Sequence, residues 1–259
     1  MAGEVDLGSR FLRWERRGDV AWVTIDRPER RNALTSNMYF GVRRAVERVN
    51  ASGSLRALVV TGTGDVFAPG GELGGQHDDG DVDYGALMGL SVLPFEAIRE
   101  SRKPVIAAVN GLCMGGGLLI TMLADVAIAS DRATFGAPEL FRGVADAYHA
   151  AILPEHVGIA VARDMLFTGR RLNAHEALRH GLVARVVPHE ELQAATEGVV
   201  ADIMKSAPRA RVALKRIVNA RYGAVDKITF EESLSSEEVV EGFRAFMEKR
   251  APAWVPEQS

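Results

Sequence analysis

Two strand-length apolar runs, Ala57-Leu58-Val59-Val60-Thr61 and Val105-Ile106-Ala107-Ala108-Val109, constrain this chain more than any other feature. A run without polar alternation predicts a strand covered on both faces, as in a parallel sheet between helices. Strand, helix and strand in succession require parallel crossovers, so the expected fold class is α/β. Each run leads on to a glycine-centred turn. The first is Phe67-Ala68-Pro69-Gly70-Gly71-Glu72-Leu73 and the second is Asn110-Gly111-Leu112-Cys113-Met114-Gly115-Gly116-Gly117. Glycine lets the backbone approach a ligand closely and adopt positive φ, so N–H groups here can face developing negative charge with no side chain in the way. The two turns read as halves of an oxyanion hole. Taken singly, each is more often a product of close packing.

Around these runs the periodicity predicts a hairpin of strands at 11–15 and 20–25 about Arg17-Gly18-Asp19. A helix capped by Thr35 or Ser36 follows, with Met38, Val42, Ala45, Val46 and Val49 on one face, ending at Gly53. The acidic stretch Gln76 to Asp83 reads as a solvated, mobile loop. Met88, Val92, Phe95 and Ile98 mark a helix before Pro104. A short apolar helix at 118–123 precedes a strand at 126–129. Beyond it helices are expected at 147–157, 159–167, 174–180, 190–206, 208–222 and 229–249, with a short strand near 183–187. The natural division is a core of residues 1–195 and a helical region of 196–259 that packs on the core or on a neighbouring subunit.

Composition removes several function classes. With 259 residues, 47% of them hydrophobic, the chain can bury one large core. A net charge of −3 gives no basic footprint for nucleic acid or an anionic membrane. Cys113 stands alone and has no disulfide partner within the chain. Gly62-Thr63-Gly64 begins like a dinucleotide fingerprint, but Phe67 occupies the place of the third glycine. His175 and His180 are five apart and fall on different helix faces, so no metal site is expected there. The longest apolar run, 112–124, is too short to cross a bilayer, and the first residues lack a signal peptide's apolar core, which makes a cytoplasmic location the expectation.

Two further segments, Ala124-Asp125-Val126-Ala127-Ile128-Ala129 and Ala133-Thr134-Phe135-Gly136-Ala137-Pro138-Glu139, shift the weight toward function. With the loop Ile25-Asp26-Arg27-Pro28 … Asn32-Ala33-Leu34 and the closing Phe243 to Arg250, the chain strongly resembles the crotonase, or enoyl-CoA hydratase/isomerase, superfamily. The resemblance implies a spiral of ββα units and a helical C-terminal region that builds trimers, often paired into hexamers. It implies an acyl-CoA thioester as ligand, with no cofactor beyond the coenzyme A of the substrate and no metal. Gly71 and Gly116 match the family's two oxyanion-hole amides, and Glu139 its second glutamate. The first family glutamate falls on Leu119, which cannot carry a proton. A hydratase is the leading expectation. A Δ3,Δ2-enoyl-CoA isomerase working with one glutamate, and a binder without turnover, are the alternatives.

Where hydratases usually carry a proline and several glycines, this chain has Gly143-Val144-Ala145-Asp146-Ala147-Tyr148-His149-Ala150. Asp146 and His149, at i and i+3, either face the pocket of Glu139 and replace the lost acid, or pair with each other at a surface helix start that Asp146 caps. The acyl-CoA groove implied by the resemblance is assigned Arg31, Ala33, Ala68, Gly70, Leu73, Met114, Leu119 and Lys249. Of these, Arg31 and Lys249 suit the phosphates of coenzyme A as well as they suit plain surface charge.

Overall fold

The computed structural model describes residues 5–72, 79, 93–222 and 225–256. Strands β1 (Leu12–Arg17) and β2 (Val20–Ile25) form the expected hairpin. They begin a six-stranded sheet completed by β3 (Ala57–Gly62), β5 (Val105–Val109), β7 (Val126–Ser130) and β10 (Arg185–Val187). Its order is β1-β2-β3-β5-β7-β10, and every pairing after the hairpin is parallel. The two apolar runs sit side by side at its centre, as the missing alternation required.

Both faces of that sheet are covered, and the period of two sorts the side chains between them. Leu58, Val60, Val105 and Ala107 join the main core with helices α1 (Ser36–Ala51), α2 (Pro94–Arg99) and α3 (Gly116–Leu123). Ala57, Val59, Ile106 and Ile128 instead meet Trp22 and the Leu192, Val199 and Val200 of helix α7 (Leu192–Met204). Each fully buried aliphatic side chain contributes about 1.5–3 kcal/mol, so this two-sided burial is the main source of stability. The expected division at 195/196 falls inside α7.

Helix α1 starts where the sequence places it. Thr35 Oγ1 accepts the Met38 N–H at 3.1 Å, satisfying one of the orphan amides of the first turn. Its end is held by a cation: the Lys103 ammonium donates to the carbonyls of Val49, Ser52 and Leu55. The cap there is Ser52 rather than Gly53.

Four short strands, β4 (Val66–Ala68), β6 (Leu112–Met114), β8 (Thr134–Gly136) and β9 (Leu172–Asn173), build a second sheet that the sequence did not announce. Helices α4 (Ala147–Val157), α5 (Ile159–Thr168) and α6 (Ala174–His180) fall where expected, α5 running one residue further. Helix α8 (Pro208–Asn219) stops three residues short of its expected end. The helix expected at 229–249 is two, α9 (Lys227–Leu234) and α10 (Glu237–Glu248). The break falls at Ser235-Ser236, where Ser236 Oγ caps the new helix by accepting the Val239 N–H at 3.2 Å. Most of the acidic stretch, together with Met88 and Val92, lies outside the described residues. Asp79 is described, and it is tied down by Ser9 Oγ at 2.6 Å and Thr35 Oγ1 at 2.5 Å. Among the described residues no helix is long and apolar enough to cross a membrane.

Candidate active site

The second sheet places the two glycine turns. Because β4 pairs in parallel with β6, the turns leaving their C-terminal ends emerge next to each other. A Cβ on Gly70 would stand 3.5 Å from Gly115 Cα and 3.7 Å from the Gly116 nitrogen. Gly70 (φ 103°) and Gly115 (φ 53°) both occupy backbone conformations that other residues avoid. The Leu34 N–H donates to the Gly70 carbonyl and the Glu72 N–H to the Leu34 carbonyl, each at 2.9 Å. That bridge passes over the Gly71 N–H, which has no acceptor among the described residues. Gly116 is the first residue of α3, so its N–H is one of the helix's orphan donors and likewise has no described acceptor.

Glu139 enters from β8 by way of Ala137-Pro138 and opens a 3₁₀ turn, Glu139–Arg142. A Cβ on Gly115 would lie 2.5 Å from Glu139 Oε1, so the carboxylate rests against the second glycine turn. Its other oxygen is buried and has no hydrogen-bond partner among the described residues. Asp146 caps α4, its Oδ1 accepting the N–H groups of Tyr148 at 2.9 Å and His149 at 3.0 Å. Oδ2 of the same carboxylate is 3.0 Å from His149 Nδ1, and that nitrogen is 3.9 Å from Glu139 Oε2. The ring N–H is not aimed along the line to Asp146, so the contact is an ion pair by distance rather than a well-aligned hydrogen bond.

Burial and mutual charge set the protonation states here. Burial raises the Glu139 carboxyl above the ordinary glutamate range, and the nearby His149 offsets only part of that. Burial would push the His149 imidazole down, but the carboxylates of Asp146 and Glu139 outweigh it and hold its pKa at about 9. Burial would likewise raise Asp146, yet the imidazolium and the two capping N–H groups keep it below the usual aspartate value. At neutral pH the trio is therefore an Asp146 carboxylate, a His149 imidazolium and a Glu139 whose proton is held more tightly than usual. Their ligand atoms lie within 4.8 Å of one another, a donor set that a divalent cation could use only after displacing the imidazolium proton.

The two readings of Asp146 and His149 are thus joined. Asp146 does cap the helix and does pair with His149, but the pair is not at the surface. His149 is fully buried, and both residues face Glu139.

The other assigned residues are spread more widely. Ala68 is fully buried, and its carbonyl lies 2.4 Å from a Cβ on Gly117. Leu119 is buried in the main core, and Met114 is buried with its methyl 3.0 Å from a Cβ on Gly136. The Ala33 carbonyl accepts from Arg27 Nη1 at 3.1 Å. Arg31 is exposed and left-handed (φ 50°) after the 3₁₀ turn Pro28–Arg30. Lys249 is exposed at the end of α10, and Leu73 lies outside the described residues.

One neighbour of the turns was not singled out from sequence. A Cβ on Gly116 would stand 2.0 Å from the Tyr39 hydroxyl, and one on Gly71 would stand 3.7 Å from it. Tyr39 shares the buried face of α1 with Val42 and Val46. A phenol at helical spacing among aliphatic residues was the available signal.

A six-stranded sheet, parallel beyond its opening hairpin, beside a small second sheet, with glycine turns flanking a half-buried glutamate, defines a crotonase-fold protein. The chain belongs to the enoyl-CoA hydratase/isomerase family, whose model matches residues 15–257. It is 36% identical over 267 residues to a carnitinyl-CoA dehydratase of Proteus mirabilis, covering 95% of this chain and 98% of that one. The fold is similar to an enoyl-CoA hydratase/isomerase from Pseudoalteromonas atlantica (TM-score 0.81, 32% identity, 94% of this chain and 99% of that one). It is similar also to a carnitinyl-CoA hydratase from Mycobacterium avium (TM-score 0.80, 33% identity, 95% and 98%).

Proposed function

We propose that this hydratase-type family member interconverts an enoyl-CoA and a 3-hydroxyacyl-CoA, with Gly71 and Gly116 binding the thioester oxygen and Glu139 moving the proton. The single observation that carries this reading is the Glu139 carboxylate resting against the second glycine turn, beside two amides that have no described acceptor. Hydrogen bonds from those amides stabilise negative charge on the thioester oxygen, and one such donor is typically worth 10²–10³ in rate.

Hydration then proceeds with one carboxylate. The oxygen of water bonds to Cβ while the Cα=Cβ electron pair moves to the enolate, and Glu139 takes the proton that water loses. Collapse of the enolate accepts the same proton from Glu139 at Cα, leaving the carboxylate as it began. Dehydration is the reverse. A glutamate whose proton affinity is raised by burial suits both halves. Asp146 and His149 support it, the imidazolium limiting the charge repulsion between the two carboxylates.

The remaining parts of this reading follow from residue chemistry. Arg31 and Lys249 are the cations assigned to the coenzyme A phosphates, and Ala33, Ala68, Gly70, Leu73, Met114 and Leu119 the residues assigned to the acyl-CoA groove. No metal or further cofactor is needed, and the setting is cytoplasmic. Exposed apolar side chains on α8 (Leu214, Ile217), α9 (Ile228) and α10 (Val240, Met247) favour self-association through the 196–259 region as a trimer or hexamer.

Purified protein tests the assignment when offered crotonyl-CoA, carnitinyl-CoA and a 3-enoyl-CoA in parallel. Loss of the conjugated enoyl absorbance, or its appearance from carnitinyl-CoA, is the expected result. Conversion of the 3-enoyl-CoA alone would replace hydration by isomerisation, which Leu119 in place of the first glutamate allows. Tight binding of every thioester without turnover would leave a binding protein.

A further inference from the structure

We propose that the Tyr39 hydroxyl is a third hydrogen-bond donor to the substrate's thioester oxygen, beside the amides of Gly71 and Gly116. The inference rests on the reading above and names a catalytic residue that the family pattern does not supply. Three observations carry it. The hydroxyl lies over both glycine turns, 2.0 Å from a Cβ on Gly116 and 3.7 Å from one on Gly71. Tyr39 is only 8% exposed, yet its hydroxyl makes no hydrogen bond to any described residue. Unlike the Tyr148 hydroxyl, which is sealed in without a partner, the Tyr39 oxygen keeps some accessible surface, so its O–H is free to donate to an acceptor that enters beside the turns.

The third observation is rigidity. The ring is fixed on the core face of α1 and meets Phe95 edge-on, with centroids 6.1 Å apart at 79°. A donor held this way needs little reorganisation when the enolate forms. Burial, with Glu139 and then Asp146 nearby, pushes the phenol's proton affinity up. Tyr39 therefore keeps its proton throughout the working range, acting as a donor and never as a base. Replacing Gly116 by any residue with a Cβ would drive that atom into the hydroxyl, which ties the glycine to the tyrosine.

The test is Tyr39→Phe, which keeps the ring and removes one oxygen, with Tyr148→Phe as a second buried phenol, packed between Phe95 and Phe230. The probe is an enoyl-CoA conjugated to an electron-rich aryl ring, whose absorption moves to the red when its carbonyl is polarised. The expected result is a red shift in the wild type, a clearly smaller one in Tyr39→Phe, and a roughly 10²-fold loss of kcat for hydration that Tyr148→Phe does not share. An equal red shift and equal rate in Tyr39→Phe would overturn the proposal while leaving the amides and Glu139 in place. A faster Tyr39→Phe would also overturn it, marking the hydroxyl as an obstruction. No red shift in the wild type, with the probe bound, would remove the oxyanion hole and the tyrosine together.

Discussion

Two buried ionic groupings flank the glycine turns, and they are built on opposite plans. At the first turn, fully buried Arg27 grips both oxygens of Glu72, at 2.9 and 3.1 Å, and also donates to the Ala33 carbonyl. Neighbouring Asn32 accepts the Arg27 N–H and donates to the carbonyls of Thr63 and Val66. At the second turn, Glu139 keeps one buried oxygen without a described partner, and the proton affinities of Glu139, Asp146 and His149 are all displaced. A carboxylate with both oxygens occupied holds a loop in place. One left open beside an imidazolium is available to a reacting proton. The difference separates support from chemistry more clearly than burial does.

Mutations can break the contrast. The largest expected effect is Glu139→Gln, which should lower kcat by roughly 10²–10⁴ with an unchanged circular dichroism spectrum and a melting point not below that of the wild type. Full activity in that variant would end the distinction. Glu72→Gln should do the opposite: a loss of about 3–5 kcal/mol in denaturant unfolding, because Arg27 would keep its buried charge without the carboxylate, with near-normal kcat in the fraction that folds.

His149→Gln sharpens the comparison through pH. The folded pKa of His149 is raised above that of the unfolded chain, so its contribution to stability is complete below about pH 6.5 and is lost as pH rises through about 9. Unfolding free energy of the wild type should fall by on the order of 2 kcal/mol over that interval, and the slope should flatten in His149→Gln. Glu139, also raised, adds to the loss with rising pH, whereas Asp146, lowered, loses its contribution only in acid. The smallest effect belongs to Asp146→Asn. Asparagine still caps α4, so the loss of stability at neutral pH should stay within the ~2 kcal/mol that the imidazolium contributes, while a pH titration of His149 by NMR should show its pKa falling.

How far these features could be read beforehand depended on whether they had a period or a spacing. The central strands β3 and β5 were legible because each contains five consecutive residues without polar alternation. The second sheet was not, since strands of two or three residues are too short to show a period. The i, i+3 spacing of Asp146 and His149 announced a cap and a pair. Their burial depended on Glu139 and the turns closing over them, which no local pattern records. Tyr39 was not legible because the aliphatic residues of α1 already account for its buried face, and a single phenol among them carries no period of its own. The single helix expected at 229–249 failed because two adjacent serines offered the backbone an alternative partner.

The pairing of β4 with β6 reaches beyond local architecture. The separation of the two turns is fixed by a ladder of main-chain bonds between segments about 45 residues apart in the chain, with one slip in register between Val66 and Ala68. Side chains at 139, 146 and 149 come from other stretches of the chain, and that at 119 from the helix after the second turn, outside the ladder. Evolution can therefore exchange the groups that choose a reaction without re-engineering the frame that grips a carbonyl. Reshaping this protein toward a new thioester chemistry should begin with those four positions and leave the strands alone.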